Sequence, residues 1–445
     1  MKHIIVGYDS YSKELIKTLL KVNNCKVVII TDDRSKIDMS VHSSVFIKET
    51  QLKNLNIVNF INNIAADTII ANTESEITNV FLCQQAKMHN SAIKTICRLH
   101  REKKDSATIS SIDYAFSPEN IAAKMLINSL SHSYTSHVKG FGSNFLIFSF
   151  KTPRAIFNLQ SYIQSINGKV LAIERNNETF LDKDIISVKE GDKVYIFIPM
   201  SKLQLLHEYL GLKKLQYRLN NIYFCGASRL THSLIGHINA FKKNLKYTVI
   251  DYNKEAMIKL KQAHEGIDIS LFEGDFLSQK MRTKSYISNN DMILSTSNDD
   301  NANIISATMC SQNEAINNFT FLTKNEHMKI LRPLNGSINI DPMQCTIEQI
   351  ISYIFNDKID DISAIINKKY SILALSVTNK NIKQLQSGKG VYSDINFILV
   401  AHQSKNSANE MSVHTNNAQL NVGDKIIILI KNKQLDLILS KSSAS

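Results

Sequence analysis

A chain of 445 residues, 43% hydrophobic and 21% charged, has the balance of an ordered globular protein, which excludes the disordered and collagen-like classes. At roughly 100 to 200 residues per domain, the length allows two to four domains. The formal net charge of +12 is spread along the chain among Asp and Glu, which reads as a solvated basic surface, compatible with an anionic inner leaflet, and not as a nucleic-acid groove.

The longest apolar runs, Val194 to Met200 and Lys425 to Lys431, are strand-length and far short of the ~18 residues that span a bilayer. The start, Met1-Lys2-His3-Ile4-Ile5-Val6-Gly7, enters a strand directly, without the series of segments that marks a secretory signal. A cytoplasmic protein is expected. The cysteines at 25, 83, 97, 225, 310 and 345 are scattered, with no Cys-x-x-Cys spacing, and read as buried, reduced thiols.

In chain order, Lys2 to Val6 predicts a strand, Ser12 to Val22 a helix with apolar residues at Leu15, Ile16, Leu19 and Leu20, and Lys26 to Ile30 a second strand. These strands are continuously apolar, as in a parallel sheet covered on both faces. Thr68 to Ala71 and Lys94 to Cys97 predict two more, separated by a helix from Asn79 to Lys87. After Ser117-Pro118 a helix runs from Glu119 to Leu130, with proline in its first turn, where a missing N–H costs nothing. Short strands and turns follow, ending in the strand after Gly191-Asp192-Lys193 and a helix from Lys202 to Leu210.

The plan then repeats: strands at Asn221 to Cys225, Lys246 to Ile250, Met292 to Ser295 and Phe319 to Leu322, and helices at Leu230 to Phe241, Asp341 to about Phe355, and Gln434 to Leu439. Four landmarks recur in the same order. Gly7 and Gly226 are offset by 219, Asn79 and Asn303 by 224, Pro118 and Pro342 by 224, and Gly191 and Gly423 by 232. A drift of 13 residues over the unit is that of an internal duplication. The fold class expected is α/β: two tandem units, each a Rossmann-like parallel-sheet domain followed by a small α+β domain. The domains expected are 1–115, 116–217, 218–340 and 341–445.

A glycine turn between strand one and helix one lets backbone approach a pyrophosphate whose charge the helix N-terminus favours. The first copy reads Gly7-Tyr8-Asp9-Ser10-Tyr11-Ser12 and the second Gly226-Ala227-Ser228-Arg229-Leu230-Thr231. Only the first glycine of the three-glycine signature is present in each, so the motif alone leaves a plain structural turn open. Asp251 closes strand two of the second copy where a carboxylate accepts ribose hydroxyls. In the first copy the strand ends Ile29-Ile30-Thr31-Asp32, which sets Asp32 about two residues late, either a displaced substitute or a turn residue. Asp9 beside the first turn repels phosphate. Glu273-Gly274-Asp275 puts a carboxylate within reach of an adenine amino group in the second copy only, and the stretch from Phe46 to Thr50 lacks it.

With the segments Asn298-Asp299-Asp300-Asn301-Ala302-Asn303 and Glu273-Gly274-Asp275, the Ser-Pro and Asp-Pro helix starts and the terminal Gly-Asp-Lys strands, the chain resembles the TrkA family. These are peripheral NAD-binding regulatory subunits of bacterial Trk potassium uptake systems, built from two tandem RCK units. The resemblance implies a Rossmann-like N-terminal domain (RCK_N) and a C-terminal ligand-sensing domain (RCK_C) in each unit. It implies nucleotide contacts (NAD or NADH, or ATP or ADP) at Gly7, Tyr8, Asp9, Ser10, Tyr11, Asp32, Thr73, Glu74 and Arg98 in the first copy. In the second they fall at Gly226, Ala227, Ser228, Arg229, Leu230, Asp251, Gly274, Asp275, Ser297 and Asn298, with Lys324 in place of the arginine. Arg98 suits the role because a planar guanidinium clamps phosphate twice; a plain surface arginine is the other reading. The family further implies a position on the inner face of the plasma membrane, a membrane-embedded potassium channel subunit of the TrkH or TrkG type as partner, and a homodimer with four RCK units.

Three functions stand. The first is a non-catalytic regulator whose nucleotide occupancy changes the angle between units and is passed to a channel. The second is the same device serving a different transporter, which shares every motif. The third, a nicotinamide-dependent oxidoreductase, needs a positioned general acid or base. His100, His232, His237 and His264 lie in helices or linkers, and none is repeated with a partner in the other copy.

Overall fold

The computed structural model describes residues 1–22, 25–37, 45–52, 56–100, 111–131, 136–141, 144–152, 154–176, 178–181, 187–211, 221–278, 291–311, 317–322, 327, 330, 337–340, 342–356, 359–365, 369–379, 382, 385, 397–405, 411–413 and 420–440. The first unit begins β1 (Lys2–Val6), α1 (Ser10–Leu19), β2 (Lys26–Thr31), β3 (Phe46–Glu49), α2 (Asn56–Asn62), β4 (Thr68–Ala71), α3 (Glu76–His89), β5 (Lys94–Arg98) and β6 (Tyr114–Phe116). Its six strands form a parallel sheet in the order β3-β2-β1-β4-β5-β6. The order reverses between β1 and β4, and ligands of open α/β sheets bind beyond the strand ends at that crevice.

The linker helix α4 (Pro118–Ser131) leads to β7 (Ser136–Phe141), β8 (Phe145–Lys151), α5 (Leu159–Ser165), β9 (Lys169–Arg175), β10 (Glu178–Leu181), β11 (Lys193–Pro199) and α6 (Leu203–Leu210). These strands make an antiparallel sheet, β10-β9-β11-β8-β7.

The second unit repeats the parallel sheet in full and the antiparallel sheet with four strands among the described residues. Strands β12 (Asn221–Cys225), β13 (Lys246–Asp251), β14 (Ile269–Glu273), β15 (Met292–Ser295), β16 (Asn317–Phe321) and β17 (Ser337–Ile340) are parallel in the order β14-β13-β12-β15-β16-β17. Helices α7 (Arg229–Phe241), α8 (Lys254–Ala263) and α9 (Asp300–Ser311) accompany them. After linker helix α10 (Pro342–Ile354), strands β18 (Asp361–Ile365), β19 (Tyr370–Ser376), β20 (Phe397–Gln403) and β21 (Lys425–Lys431) pair antiparallel, and α11 (Leu435–Ser440) closes the chain. The duplicated α/β class expected from the sequence is the observed one. The edge strands β6 and β17 and helices α2 and α8 add to what apolar periodicity marks.

Packing reveals what no local pattern encodes: the linker helices are exchanged. Ala122, Ala123, Leu126 and Leu130 of α4 are buried with Ile222, Phe224, Leu234 and Ile235 of the second parallel sheet and α7. Reciprocally, Met343, Ile347, Ile350, Ile351 and Ile354 of α10 are buried with Ile5, Leu15, Ile16 and Leu19 of the first. The two antiparallel sheets also share a core, in which Phe141, Ile147, Leu171 and Phe197 meet Ile372, Val400, Ile427 and Leu429. Lys169 Nζ donates to the Leu399 carbonyl at 2.9 Å, and Val413 N to Asn167 Oδ1 at 2.9 Å, across that seam. The units therefore share their cores, and each Rossmann half packs against the other unit's linker helix.

The Gly-Asp-Lys signature is a folding device. Gly191 and Gly423 take φ of +82° and +96°, a region that favours glycine. The next carboxylate then turns back to the N–H three residues earlier, Lys189 N to Asp192 at 2.7 Å and Asn421 N to Asp424 at 2.8 Å.

His3 on β1 is fully buried, edge-on to Phe355, with neither ring nitrogen hydrogen-bonded. Burial first, then the charge of the chain's amino terminus, holds its pKa at about 4 against 6.5. Between those values the unfolded chain binds a proton that the folded one refuses. Stability is thus complete above about 6.5 and lost as pH falls toward 4, by about 3 kcal/mol in all. His3→Ile, the residue its counterpart Ile222 carries, is expected to shrink the drop in melting temperature between pH 8 and pH 5. An unchanged drop would show that His3 does not set it.

Candidate functional site

Superposing the sheet registers aligns the two crevices residue by residue. Gly7 N donates to the Ile30 carbonyl and Gly226 N to that of Ile250, both at 2.9 Å. A Cβ on Gly7 would stand 2.5 Å from the Asn72 carbonyl oxygen, and one on Gly226 2.6 Å from Ser297 Cα. Their φ values are +91° and +119°, so in both copies glycine is required to bring the β1–α1 or β12–α7 turn against the loop after β4 or β15.

In each copy that loop is braced by one buried asparagine. Asn79 Oδ1 accepts from Thr73 N at 2.8 Å while its Nδ2 donates to the carbonyls of Thr73 and Arg98. Asn303 does the same with Ser297 N at 3.0 Å and the carbonyls of Ser297 and Phe321. Glu74 and Asn298 are exposed at the rim.

The second crevice has an acid where a ribose would lie. Asp251, last residue of β13, accepts from Ala227 N at 2.6 Å and Asn253 N at 2.7 Å, so its carboxylate faces the Gly226 turn. Ser228 caps α7 by accepting from Thr231 N at 3.3 Å, and Thr231 Oγ1 donates to the Gly226 carbonyl at 2.6 Å. Leu230 is half-buried in the core beneath α7. Gly274 N bonds the Asp251 carbonyl, and Asp275 accepts from Leu277 N at 2.8 Å, which sets Gly274 and Asp275 beside Asp251. This cradle fits a nucleotide: a bare turn, a helix N-terminus and a strand-end carboxylate converge on one crevice.

The first crevice keeps the hydroxyl brace, with Ser12 Oγ donating to the Gly7 carbonyl at 3.0 Å, but differs at the strand-end acid and in the residue that caps the helix. The register pairs Val6 with Ile30 and Cys225 with Ile250, so the counterpart of Asp251 is Thr31, not Ile30 or Asp32. Thr31 is buried and bonded to the Asp33 backbone, while Asp32 is exposed one residue beyond. Asp9 caps α1, accepting from Ser12 N at 2.8 Å and Asn72 Nδ2 at 2.7 Å. Arg98 reaches it: Nη1 lies 2.9 Å from Asp9 Oδ2 and Nη2 3.4 Å from Glu119 Oε1, with the guanidinium 5.5 Å from the centre of the Tyr11 ring. Tyr8 and Ser10 flank the turn, half-buried. This crevice does not fit a polyphosphate, because its guanidinium is already held between two carboxylates.

The counterpart of Arg98 is Phe321, whose carbonyl takes the equivalent asparagine bond and whose ring is buried; Lys324 lies outside the described residues, as does Asp341. Sequence reading also passed over Glu119, and weighed His100 only as a general acid or base. His100 contacts the Glu74 carbonyl at 3.2 Å and Arg229 Nη1 at 3.0 Å, so the first unit touches the turn of the second. His237 Nδ1 bonds the Ser233 carbonyl, and His232 and His264 pack ring to ring at 5.5 Å.

A family model, the TrkA-N domain, matches residues 3–118 and 222–341, the two parallel-sheet halves. The chain belongs to the TrkA-N domain family. Relatives include the Trk system potassium uptake protein TrkA of Haemophilus influenzae, 21% identical over 323 residues and 67% of each chain. That of Vibrio alginolyticus is 18% identical over 381 residues, covering 82% of this chain and 81% of its own. Among solved structures, the GsuK RCK domain matches 98% of this chain and 94% of its own, at a TM-score of 0.62 and 14% identity. The GsuK channel bound to NAD matches 98% of this chain and 78% of its own, at 0.61 and 14%. The RCK fold of this TrkA-N chain follows from these likenesses.

Proposed function

We propose that the chain is a nucleotide-responsive regulatory subunit of a potassium uptake system, acting on a membrane-embedded channel subunit from the cytoplasmic face. The observation that carries the reading is Asp251 turned onto the Gly226 turn, within a TrkA-N chain. Relatives named as potassium uptake proteins and an RCK neighbour bound to NAD support potassium transport and nucleotide as the terms of that regulation. NAD, NADH, ADP or ATP is the class of ligand, seated between Gly226, Asp251, Asp275 and Ser297.

The packing supplies a route for the signal. A phosphate at the N-terminus of α7 bears on a helix that shares its buried face with α4 and is pinned to it by Ser233 Oγ donating to Asn120 Oδ1 at 2.6 Å. Ligand therefore biases the angle between the units if it binds one arrangement more tightly than the other. A dimer with four RCK units is the proposed assembly, and 1–115, 116–217, 218–340 and 341–445 are the proposed domains.

The test is recovery of a potassium channel subunit from membranes on the tagged chain, with and without ADP or NADH, together with calorimetric titration of both nucleotides. Nucleotide-dependent recovery is expected. Recovery of a different transporter would keep the device and change its client; no nucleotide binding would end ligand gating. Arg229→Ala is expected to weaken nucleotide binding no more than about tenfold, the worth of one exposed charge contact. A larger loss in the same titration would make Arg229 a principal phosphate ligand.

A further inference from the structure

Three charged residues of the first crevice are replaced together in the second. Asp9 and Ser228 both cap the first helix of their halves. Arg98 and Phe321 give equivalent carbonyls to Asn79 and Asn303. Glu119 and Met343 each follow the proline that starts a linker helix. One half thus holds carboxylate, guanidinium and carboxylate; the other holds hydroxyl, phenyl and thioether. A single loss would read as drift, but three complementary differences at one contact set describe two distinct designs.

The Asp9 carboxylate meets what a bound phosphate would meet at this place. It accepts from a backbone N–H in the first turn of α1, from the Asn72 amide and from the guanidinium. The Arg98 side chain is only 12% exposed and that of Glu119 13%, so the pair is shielded from the solvent that weakens surface ion pairs. Glu119 belongs to α4, whose buried face lies on the other Rossmann half.

We infer that the first half carries its own ligand: Asp9 stands in for the phosphate of a nucleotide, and Arg98 ties it to Glu119, fixing α4 against β5 whether or not nucleotide is present. The first half is then the fixed reference against which the second moves. This rests on the nucleotide reading of the RCK fold but not on the second half's occupancy, since it concerns groups the chain itself supplies.

The test uses the full chain and inorganic pyrophosphate, which needs the turn and the arginine but no ribose acid. Asp9→Asn keeps the helix cap and removes the charge. It is expected to create a pyrophosphate site at least tenfold tighter than any in the parent chain, and Arg98→Phe in the same chain should abolish it. Asp9→Ser, the residue its counterpart carries, serves if the asparagine variant melts lower than the parent. No gain in either folded variant, or a gain that survives loss of Arg98, would overturn the inference. The readout is separate from nucleotide binding by the second half. A parent chain that binds no ADP but gains pyrophosphate with Asp9→Asn leaves the inference standing and removes the proposed function.

Discussion

Asp251→Ala is expected to weaken ADP or NAD binding by about 10- to 100-fold, while Asp32→Ala leaves it unchanged. A hydrogen bond to a charged group is worth about 1.5 to 3 kcal/mol, and each 1.4 kcal/mol is tenfold in affinity. Asp251 is oriented by the Ala227 and Asn253 amides, so little ordering remains to be done when ribose hydroxyls replace the first of these donors. Asp32 sits exposed beyond Thr31, outside the crevice its counterpart lines. Equal losses in the two variants, measured by titration calorimetry, would contradict the register that makes Thr31 the counterpart of Asp251.

The largest effect on stability is expected from Arg175→Ala. Asp192 is 1% exposed and takes both arms of Arg175, Nε at 2.8 Å and Nη2 at 2.7 Å. Removing Arg175 is expected to cost about 3 kcal/mol, the lower end for breaking a buried pair, because the Lys189 N–H still compensates part of the Asp192 charge. Asp192→Ala is expected to cost less, since Arg175, 25% exposed, can hydrate. Burial by itself would raise the Asp192 carboxyl, but the Arg175 hydrogen bond, the Lys189 amide and the guanidinium charge outweigh it and hold the group below its ordinary range. Its stabilisation is thus present above the carboxylate range and lost as pH falls through the folded value. Arg175→Ala should move acid unfolding of the first antiparallel sheet to higher pH and strip hydrogen-exchange protection from β8, β9 and β11. Unchanged protection at neutral pH would mean that the pair is decorative.

Much of the architecture was legible because it is local. Strand-length apolar runs fixed β1, β4, β12 and β15 at their observed ends, and repeated glycine and proline landmarks disclosed the duplication. The rest depends on contacts between residues far apart in the chain. Nothing near Glu119 says that α4 crosses to the other unit, since its apolar face would fit either sheet. Arg98 is chemically apt for a phosphate, and only the fold shows Asp9 and Glu119 waiting for it. The counterpart of Asp251 was misplaced because strand ends cannot be counted through turns; the hydrogen bonds of Gly7 and Gly226 to Ile30 and Ile250 settle the register.

The central claim is that the two crevices are unequal, one open to nucleotide and one filled by the chain's own charges. A crystal structure of the full chain grown with ADP tests it most directly. One ADP per chain is predicted, its ribose on Asp251 and its phosphates over the Gly226 turn, with Asp9 still on Arg98 in the other half. ADP seated over the Gly7 turn, with Arg98 swung from Asp9 onto its phosphates, would contradict it.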